Sequence, residues 1–428
     1  MKIINWVAVR KLEPRWGLFS SGIVNVVVML AVFMVLWRIF MDPRGIFRMY
    51  TPLYGYAYVQ WLLVSVLVTQ LVLRYWPLQD AAFLAGRHPL VKGTAFFAIS
   101  VLLMLFMVDG VFKNFIGNLS IPYFSEETLL RLKQNAFNAR EYSHQAITMF
   151  GGLTALIIPI WVLHLNNWPA GELPRSGGYI TSFMMILFCA TIGYFALYHP
   201  HLGILFYPWQ TYAAAVPWWE KFARTLHSNF NLGLMMSWTA ALWIIQVTYE
   251  GYPFKLIEKQ PQRALAGIFG TLLFGIILFG GFHLLQEVAW GEPVRGGKLI
   301  GAVDWRYLHS GETSLFMLLI SLIWGFYFKN WPRQYSLEMN FLIRTIIVGA
   351  GTFLFYTFYY KFNAGILGQQ QGYSNPLQFP LAATSLIVAL LLAHSWFFDM
   401  WPGEKVANLA EFSADKPAAP ARTKSPGV

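Results

Sequence analysis

Residues 17–40, GLFSSGIVNVVVMLAVFMVLWRIF, form the first long apolar run of the chain, and Arg38 is its only charged residue. A helix of this length is long enough to cross the roughly 30 Å hydrocarbon core of a bilayer. Because lipid offers the backbone no hydrogen-bond partners, such a run must satisfy its own amide groups as a helix. It is too long for a signal-peptide core and lacks a small-residue cleavage site, so we interpret it as a retained membrane helix.

Similar runs recur along the whole chain, which has 428 residues, of which 57% are hydrophobic and 12% charged. This composition is typical of a polytopic membrane protein. We predict an all-α integral membrane helix bundle of about ten transmembrane helices, in a single domain over residues 1–403. A disordered tail follows over residues 404–428. The predicted spans are Gly17–Phe40, Tyr54–Leu73, Gly93–Phe112, Gln145–Leu163, Tyr179–Tyr198, Phe230–Tyr249, Ala264–Trp290, Thr313–Phe328, Ile346–Tyr360 and Leu381–Phe398. No internal repeat is evident among them.

The placement of Lys and Arg predicts the orientation of the bundle. With the N-terminus inside, the inner segments hold more of the 31 basic residues than the outer segments do. Both termini, and with them the tail, are then cytoplasmic, and we expect a multi-pass protein of the cell inner membrane. The net charge of +11 predicts contact with anionic headgroups of the lipid bilayer. No clustered basic face of the kind that binds nucleic acid is present, so we expect no nucleic-acid partner.

On this topology, most of the histidines and several acids fall at one depth, near the outer face. They are His144, His199, His201, His227, His283, His309, Asp109, Glu141, Glu287 and Glu312. Three pairs have a histidine and a carboxylate one helical turn apart, namely Glu141/His144, His283/Glu287 and His309/Glu312. Separations of three or four residues place both side chains on one helix face. Ionisable groups in a bilayer are costly unless they are paired, so these pairs predict a functional site.

The chemistry of these side chains favours a metal or a haem. Imidazole suits copper, iron, zinc and nickel, and a neighbouring carboxylate can join the ligands or orient the imidazole. We expect a transition metal, copper or iron, or a haem, for which His144 and His227 are the candidate axial ligands. Asp109, Glu287 and Glu312 are the candidate catalytic groups, as ligands or proton carriers. The complete candidate metal set is Glu141, His144, His199, His201, His227, His283, Glu287, His309 and Glu312.

Several of these residues also have a plain structural explanation. Asp109 can form an ion pair with Lys113, four residues further on. His309 can be an interfacial residue at the junction before the eighth span, and Glu141 and Glu312 can be solvated loop acids.

The remaining three histidines lie on the opposite side of the predicted bundle. His88 falls in a basic loop, where we expect it to be solvated. His164 and His394 lie near the inner ends of their spans, where structural roles are expected. The glycines of the seventh span, at 267, 270, 275, 280 and 281, predict close packing between helices.

These observations favour a membrane oxidoreductase subunit whose metal or haem lies near the outer face, and which acts on a quinol or a small apolar substrate. The sequence has no Cys-x-x-Cys-His, His-x-x-x-His or His-Glu-x-x-His motif, which argues against covalent haem, membrane desaturase and zinc-protease chemistry. Because no soluble redox domain is evident, we expect the electron donor to be another membrane or periplasmic subunit.

Two other classes of function remain open. A proton-coupled secondary transporter would suit the span count and the titratable groups, although carriers commonly show internal repeats. An envelope-lipid or glycan enzyme could use His309 and Glu312 for acid–base chemistry beside Asp304 and Arg306. This last class leaves the histidines of spans four to six without a role.

The cluster hypothesis predicts unequal effects of histidine substitutions. We expect His227→Ala and His283→Ala to abolish function with normal membrane insertion, because both remove expected ligands. His88→Ala should have no effect. Metal content and the visible absorption spectrum of the detergent-purified variants measure the difference, and equal effects of all three would contradict the cluster.

Overall fold

The computed structural model describes residues 12–49, 54–84, 87–119, 122–198, 228–290, 302–368 and 380–406. Within these ranges the protein is an all-α bundle with one small two-stranded sheet. The ten long helices are α1 (Leu18–Leu36), α2 (Tyr54–Leu67), α3 (Pro89–Leu105), α4 (Ala136–Pro159), α5 (Arg175–Leu197), α6 (Ser228–Val247), α7 (Gln260–Trp290), α8 (Ala302–Tyr327), α9 (Leu337–Leu367) and α10 (Leu381–Trp396).

Several helices are extended by other helical turns. The first four continue as π-helix over Trp37–Met41, Val68–Val72, Phe106–Ile116 and Ile160–His164. Short helices cover Gly117–Leu119 and Glu126–Arg131, and 3₁₀ turns cover Leu78–Asp80, Ala82–Leu84, Pro122–Phe124, Ala170–Glu172 and Phe254–Leu256. In the described ranges, nine helices are long and apolar enough to cross a membrane, and α10 is a shorter apolar helix of 16 residues. The prediction of a polytopic helical bundle is therefore confirmed.

Burial alternates along the chain between exposed and buried helices. In the most apolar 18-residue stretch of each helix, 22% of the residues are buried in α1, α5, α7 and α9, and 33% in α3. The corresponding windows of α2, α4, α6 and α8 are 61–89% buried, and every residue from Ala382 to Trp396 in α10 is buried. The even-numbered helices therefore form the interior, and the odd-numbered helices present apolar side chains outward, as lipid-facing helices do.

The five interior helices form a closed ring. Helix α2 packs against α4, α4 against α6, α6 against α8, α8 against α10, and α10 against α2. The outer helices pack over this ring, with α3 on α2, α5 on α4, α7 on α6 and α8, and α9 on α8. We call α2, α4, α6, α8 and α10 the inner ring.

Each helix of the inner ring ends in the same four-residue loop. Two residues with positive φ, one of them a glycine in the third loop, are followed by Trp-Pro or Tyr-Pro, with the aromatic–proline bond cis. The five loops are RYWP (74–77), NNWP (166–169), EGYP (250–253), KNWP (329–332) and DMWP (399–402). We call this side of the bundle the loop end, and the side where the inner ring helices begin the histidine end.

The hydrogen bonds of the five loops are also the same. In the first loop, the Tyr75 N–H donates to the Thr69 carbonyl six residues earlier, and the Trp76 N–H donates to the Leu73 carbonyl. The other four loops repeat both bonds, through Asn167 and Trp168, Gly251 and Tyr252, Asn330 and Trp331, and Met400 and Trp401. The six-residue bond spans one residue more than the bond of a Schellman motif and, like it, satisfies a carbonyl left open at a helix C-terminus.

The chain is thus a fivefold repeat of an outer helix followed by an inner helix. Our expectation that no repeat exists is wrong. The repeated signal is four residues long and recurs at uneven intervals, whereas the helices themselves share only apolar composition. Composition alone therefore does not reveal the repeat.

A short sheet joins the segment before α1 to the segment after α10. Strand β1 (Leu12–Pro14) pairs antiparallel with β2 (Glu404–Val406), with Leu12 opposite Val406. Burial raises the pKa of Glu404, and Lys329, whose Nζ lies 3.3 Å from the carboxylate, opposes that shift. The first three residues of the expected tail, Glu404–Val406, therefore form a strand that pairs with the segment before α1. Residues 407–428 lie outside the described ranges.

Helices α8 and α9 begin earlier than composition predicts. Helix α8 begins at Ala302 rather than Thr313, and α9 begins at Leu337 rather than Ile346. A prediction based on apolar runs ends a span at the first polar residues. In α8 these polar residues, including His309 and Glu312, are buried against neighbouring helices rather than left outside the bundle.

Glycines allow the closest helix contacts. A Cβ at Gly311 in α8 would lie 2.5 Å from the Gly233 Cα in α6. In α7, a Cβ at Gly267 or Gly275 would overlap His164 or Trp238, as the packing interpretation predicted. Gly280 has no atom within 4 Å of that position, so it faces open space.

This contrast predicts that Gly311→Ala lowers the thermal unfolding midpoint in detergent, because overpacking of this kind costs about 1–3 kcal/mol. Gly280→Ala is the matched control and should leave the midpoint unchanged or raise it, since alanine gains about 1 kcal/mol of helix propensity over glycine. Equal midpoints for the two variants would contradict the close contact of α6 with α8.

Candidate functional site

The most deeply buried ionisable pair of the histidine end lies on α8. His309 Nδ1 is 2.6 Å from Glu312 Oε2, and both side chains are at most 2% exposed. The spacing of three residues predicted that these groups meet on one helix face, and this contact is confirmed. The interpretation of the two residues as a junction histidine and a solvated loop acid is wrong.

The contact couples the proton position on His309 to the charge of Glu312. Because an ionised carboxylate only accepts hydrogen bonds, an ionised Glu312 requires Nδ1 to donate, and a neutral ring then has its lone pair on Nε2. Nε2 is buried and makes no hydrogen bond to the described residues, and neither does Glu312 Oε1. The pair therefore contains a fixed imidazole with one nitrogen available for a ligand or a proton.

Aromatic residues of α9 enclose this pair. The Tyr360 hydroxyl lies 3.1 Å from His309 Nδ1. Phe316 packs against Tyr359 with ring centres 5.4 Å apart, and Tyr356 packs against Tyr360 at 4.6 Å. Packed aromatic side chains exclude water, and the low local polarity strengthens the interaction between His309 and Glu312.

The sequence analysis does not identify Tyr360 as part of this site. The available signal was the spacing of tyrosines 356, 359 and 360, which places polar tips along one face of an apolar helix.

A second polar cluster joins α2 to the π-helical end of α3. Asp109 Oδ1 accepts hydrogen bonds from the Tyr58 hydroxyl at 2.8 Å and from Lys113 Nζ at 2.9 Å. The structural alternative for Asp109, an ion pair with Lys113, is thus confirmed. His144 of α4 is fully buried, and its ring centre lies 6.0 Å from that of Tyr58. Glu141, one turn before His144, accepts a hydrogen bond from Gln145.

A third cluster lies between α7 and α8. The His283 ring stacks on Tyr307 with centres 4.9 Å apart and an interplanar angle of 17°. One turn further along both helices, Gln286 donates a hydrogen bond to Ser310 at 3.1 Å. His283 thus packs on the side of α8 that faces α7, whereas His309 contacts Tyr360 of α9.

The predicted single cluster is only partly covered by the described residues. His199, His201 and His227 lie outside them, as does the side chain of Glu287. Where the chain is described, no three His, Cys, Asp or Glu side chains are grouped so as to hold a metal ion. The covered candidates occupy three places, around Asp109 and His144, around His283, and at His309 and Glu312. A metal or haem site that combines several of them stays a prediction.

The other histidines have structural partners at or near the loop end. His164 contacts the Thr271 hydroxyl at 3.1 Å. His394 bridges the Tyr327 hydroxyl and the Trp401 carbonyl, each at 2.8 Å. His88 accepts the Leu90 N–H at the start of α3 and acts as its N-cap. These contacts account for the three histidines without any chemistry.

Comparison with protein-family models, curated proteins and solved structures yields no match to this chain. Its function therefore has to be argued from its own geometry.

Burial predicts how the His309–Glu312 pair responds to substitution. His309→Leu leaves a buried, unpaired carboxylate, so we expect a loss of about 3–5 kcal/mol in the free energy of unfolding. The double variant His309→Leu/Glu312→Leu should recover most of this loss, because no unpaired buried carboxylate then remains. Thermal or denaturant unfolding of the wild type, the two single variants and the double variant in detergent measures these changes in stability.

The exposed ion pair of Glu127 with Arg131 is the control. Its side chains are 76% and 64% exposed, so Glu127→Ala should change stability by about 1 kcal/mol or less. A similarly small effect of His309→Leu would show that the buried pair carries no charge.

Proposed function

We propose that this protein is a membrane oxidoreductase subunit that holds a transition metal, copper or iron, or a haem at the histidine end. His309 is the first ligand in this proposal, through Nε2, and Glu312 is the residue that positions it. The supporting observation is the buried contact between His309 Nδ1 and Glu312, which leaves Nε2 without a partner among the described residues.

This arrangement matches a recurring feature of metal sites. A ligating histidine commonly donates its second ring N–H to a carboxylate, which fixes the ring and raises the basicity of the ligating nitrogen. Haem iron is likewise held by histidine, and its potential depends on the hydrogen bonds and burial of that ligand. The buried Nε2 of His309, unpartnered among the described residues, is the atom that would bind either group.

Further ligands come from the histidines and acids predicted at the same end. His144 and His283 are the described candidates, and His199, His201 and His227 are the candidates outside the described ranges. Asp109 is engaged in an ion pair with Lys113 and is less available as a ligand, so the proposal keeps it as a proton carrier. On the predicted topology this end faces the periplasm, so the electron donor or acceptor is a membrane or periplasmic partner and the substrate is a quinol or a small apolar molecule.

Metal analysis and a visible spectrum of the detergent-purified protein test the proposal. We expect a stoichiometric metal or a haem band in the wild type and its loss in His309→Ala. Glu312→Gln should lower metal affinity by about 10–100-fold, because the imidazole loses its orienting carboxylate.

His88→Asn is the matched control, since asparagine preserves the N-cap of α3 and leaves the histidine end intact. A folded wild type that is colourless and free of metal would overturn the proposal.

A proton-coupled secondary transporter is the second candidate, and the fivefold repeat favours it. Repeats related by an axis along the membrane normal occur in transporter folds. A buried His–Glu pair within a span can carry a coupled proton. Uptake driven by a pH gradient in vesicles, lost in Glu312→Gln and kept in His88→Asn, would favour this candidate over the oxidoreductase.

A further inference from the structure

Two adjoining cavities lie inside the inner ring, with volumes of about 40 and 50 Å³. Five residues line both cavities, and each comes from a different inner ring helix: Leu63, Ala155, Thr239, Leu315 and Ser385. The cavities therefore lie on the axis of the ring rather than between two neighbouring helices. We call them together the axial cavity.

Among the described residues, no charged or titratable side chain lines the axial cavity. Its remaining walls are mainly apolar, formed by Leu67, Trp243, Leu318, Val388 and Leu392 towards the loop end and by Met149, Leu232, Met235, Met236 and Leu381 around the other part. An ion entering this space would lose its hydration without gaining a partner. The chemistry of the lining therefore selects an uncharged guest.

The few polar groups in the lining are largely engaged with the protein itself. Ser385 donates a hydrogen bond to Gln60 Oε1 at 3.2 Å. The hydroxyls of Thr148, Thr239 and Thr384 donate to backbone carbonyls of their own helices or caps, four residues earlier. A buried water requires two to four polar partners, whereas apolar cavities stay dry and accept apolar guests. The arrangement thus favours an apolar guest over water.

The size of the cavity admits a small guest. One water-sized molecule needs about 10–15 Å³, and each part of the axial cavity exceeds that volume severalfold. A diatomic gas fits this space.

The axial cavity also lies close to the proposed site. Thr148 follows His144 by one helical turn, and its hydroxyl donates to the His144 carbonyl. Leu315 follows Glu312 by three residues on α8, a rise of about 4.5 Å. A guest in the part of the cavity nearer the histidine end is therefore about one helical turn away from the buried polar groups there.

We infer that the axial cavity binds a small uncharged apolar molecule, of the class of dioxygen or nitric oxide. It holds this molecule on the ring axis, beside the histidine end. Its role as a substrate reservoir rests on the proposed oxidoreductase function, whereas the binding itself depends only on the shape and apolarity of the cavity.

Xenon is the probe for this binding, because it is apolar, uncharged and visible by anomalous diffraction. Crystals of the full chain pressurised with xenon should show a peak on the ring axis, in contact with Leu63, Ala155 and Leu315. Ala155→Leu fills the space that both parts share and should abolish the peak. If that variant does not fold, Leu315→Phe provides the same block from the opposite side of the ring.

Leu62→Ala is the matched control, because Leu62 is buried next to Leu63 but does not line the axial cavity. The axial peak should persist in this variant. Ordered water in place of xenon, or an axial peak that survives both blocking variants, would overturn the inference. A xenon peak in a protein without metal or haem would support apolar binding in the axial cavity and contradict the proposed oxidoreductase function. The failure of one proposal can therefore be distinguished from the failure of the other.

Discussion

Contact between α10 and α2 closes the inner ring, and the rest of the structure depends on this closure. It gives each inner ring helix a neighbour on both sides, so that helices of mixed polarity are removed from lipid. The outer helices need only an apolar surface and pack over the ring, which explains their low burial. At the loop end, the β1–β2 pair joins the segment before α1 to the segment after α10, and the Lys329–Glu404 ion pair joins the loop after α8 to β2.

The two ends of the bundle differ because the helices end differently. At the loop end, each inner ring helix must satisfy its last carbonyls inside or near the membrane, and the repeated six-residue backbone bonds do so. Histidines there bond to hydroxyls and carbonyls that hold neighbouring elements together. At the histidine end the inner ring helices begin, and the polar side chains are paired with one another. His309, Glu312 and Tyr360 are enclosed by α8 and α9, which makes this end the suitable place for chemistry.

Sequence reasoning was most successful where one helix suffices to make the argument. The apolar runs predicted the helical bundle, and the spacing of three residues predicted the contact of His309 with Glu312. The ion pair of Asp109 with Lys113 follows from the same rule. Sequence reasoning failed where residues on different helices decide the outcome. It missed Tyr360 as a partner of His309, and it placed Glu312 just before the eighth span rather than within the helix. The reason is that nothing in α8 alone indicates which neighbour covers its polar start.

The sequence by itself determined that the chain is a membrane helix bundle, since lipid leaves a long apolar run no other way to satisfy its backbone. The sequence also contains the five aromatic–proline loops, but their repeated conformation is recognised only from backbone angles, which composition does not reveal. Only the tertiary structure decided which helices are interior, that the interior helices close a ring, and that an apolar cavity remains on its axis. The physical reason is that burial and enclosure are properties of packed neighbours, which come from distant parts of the chain.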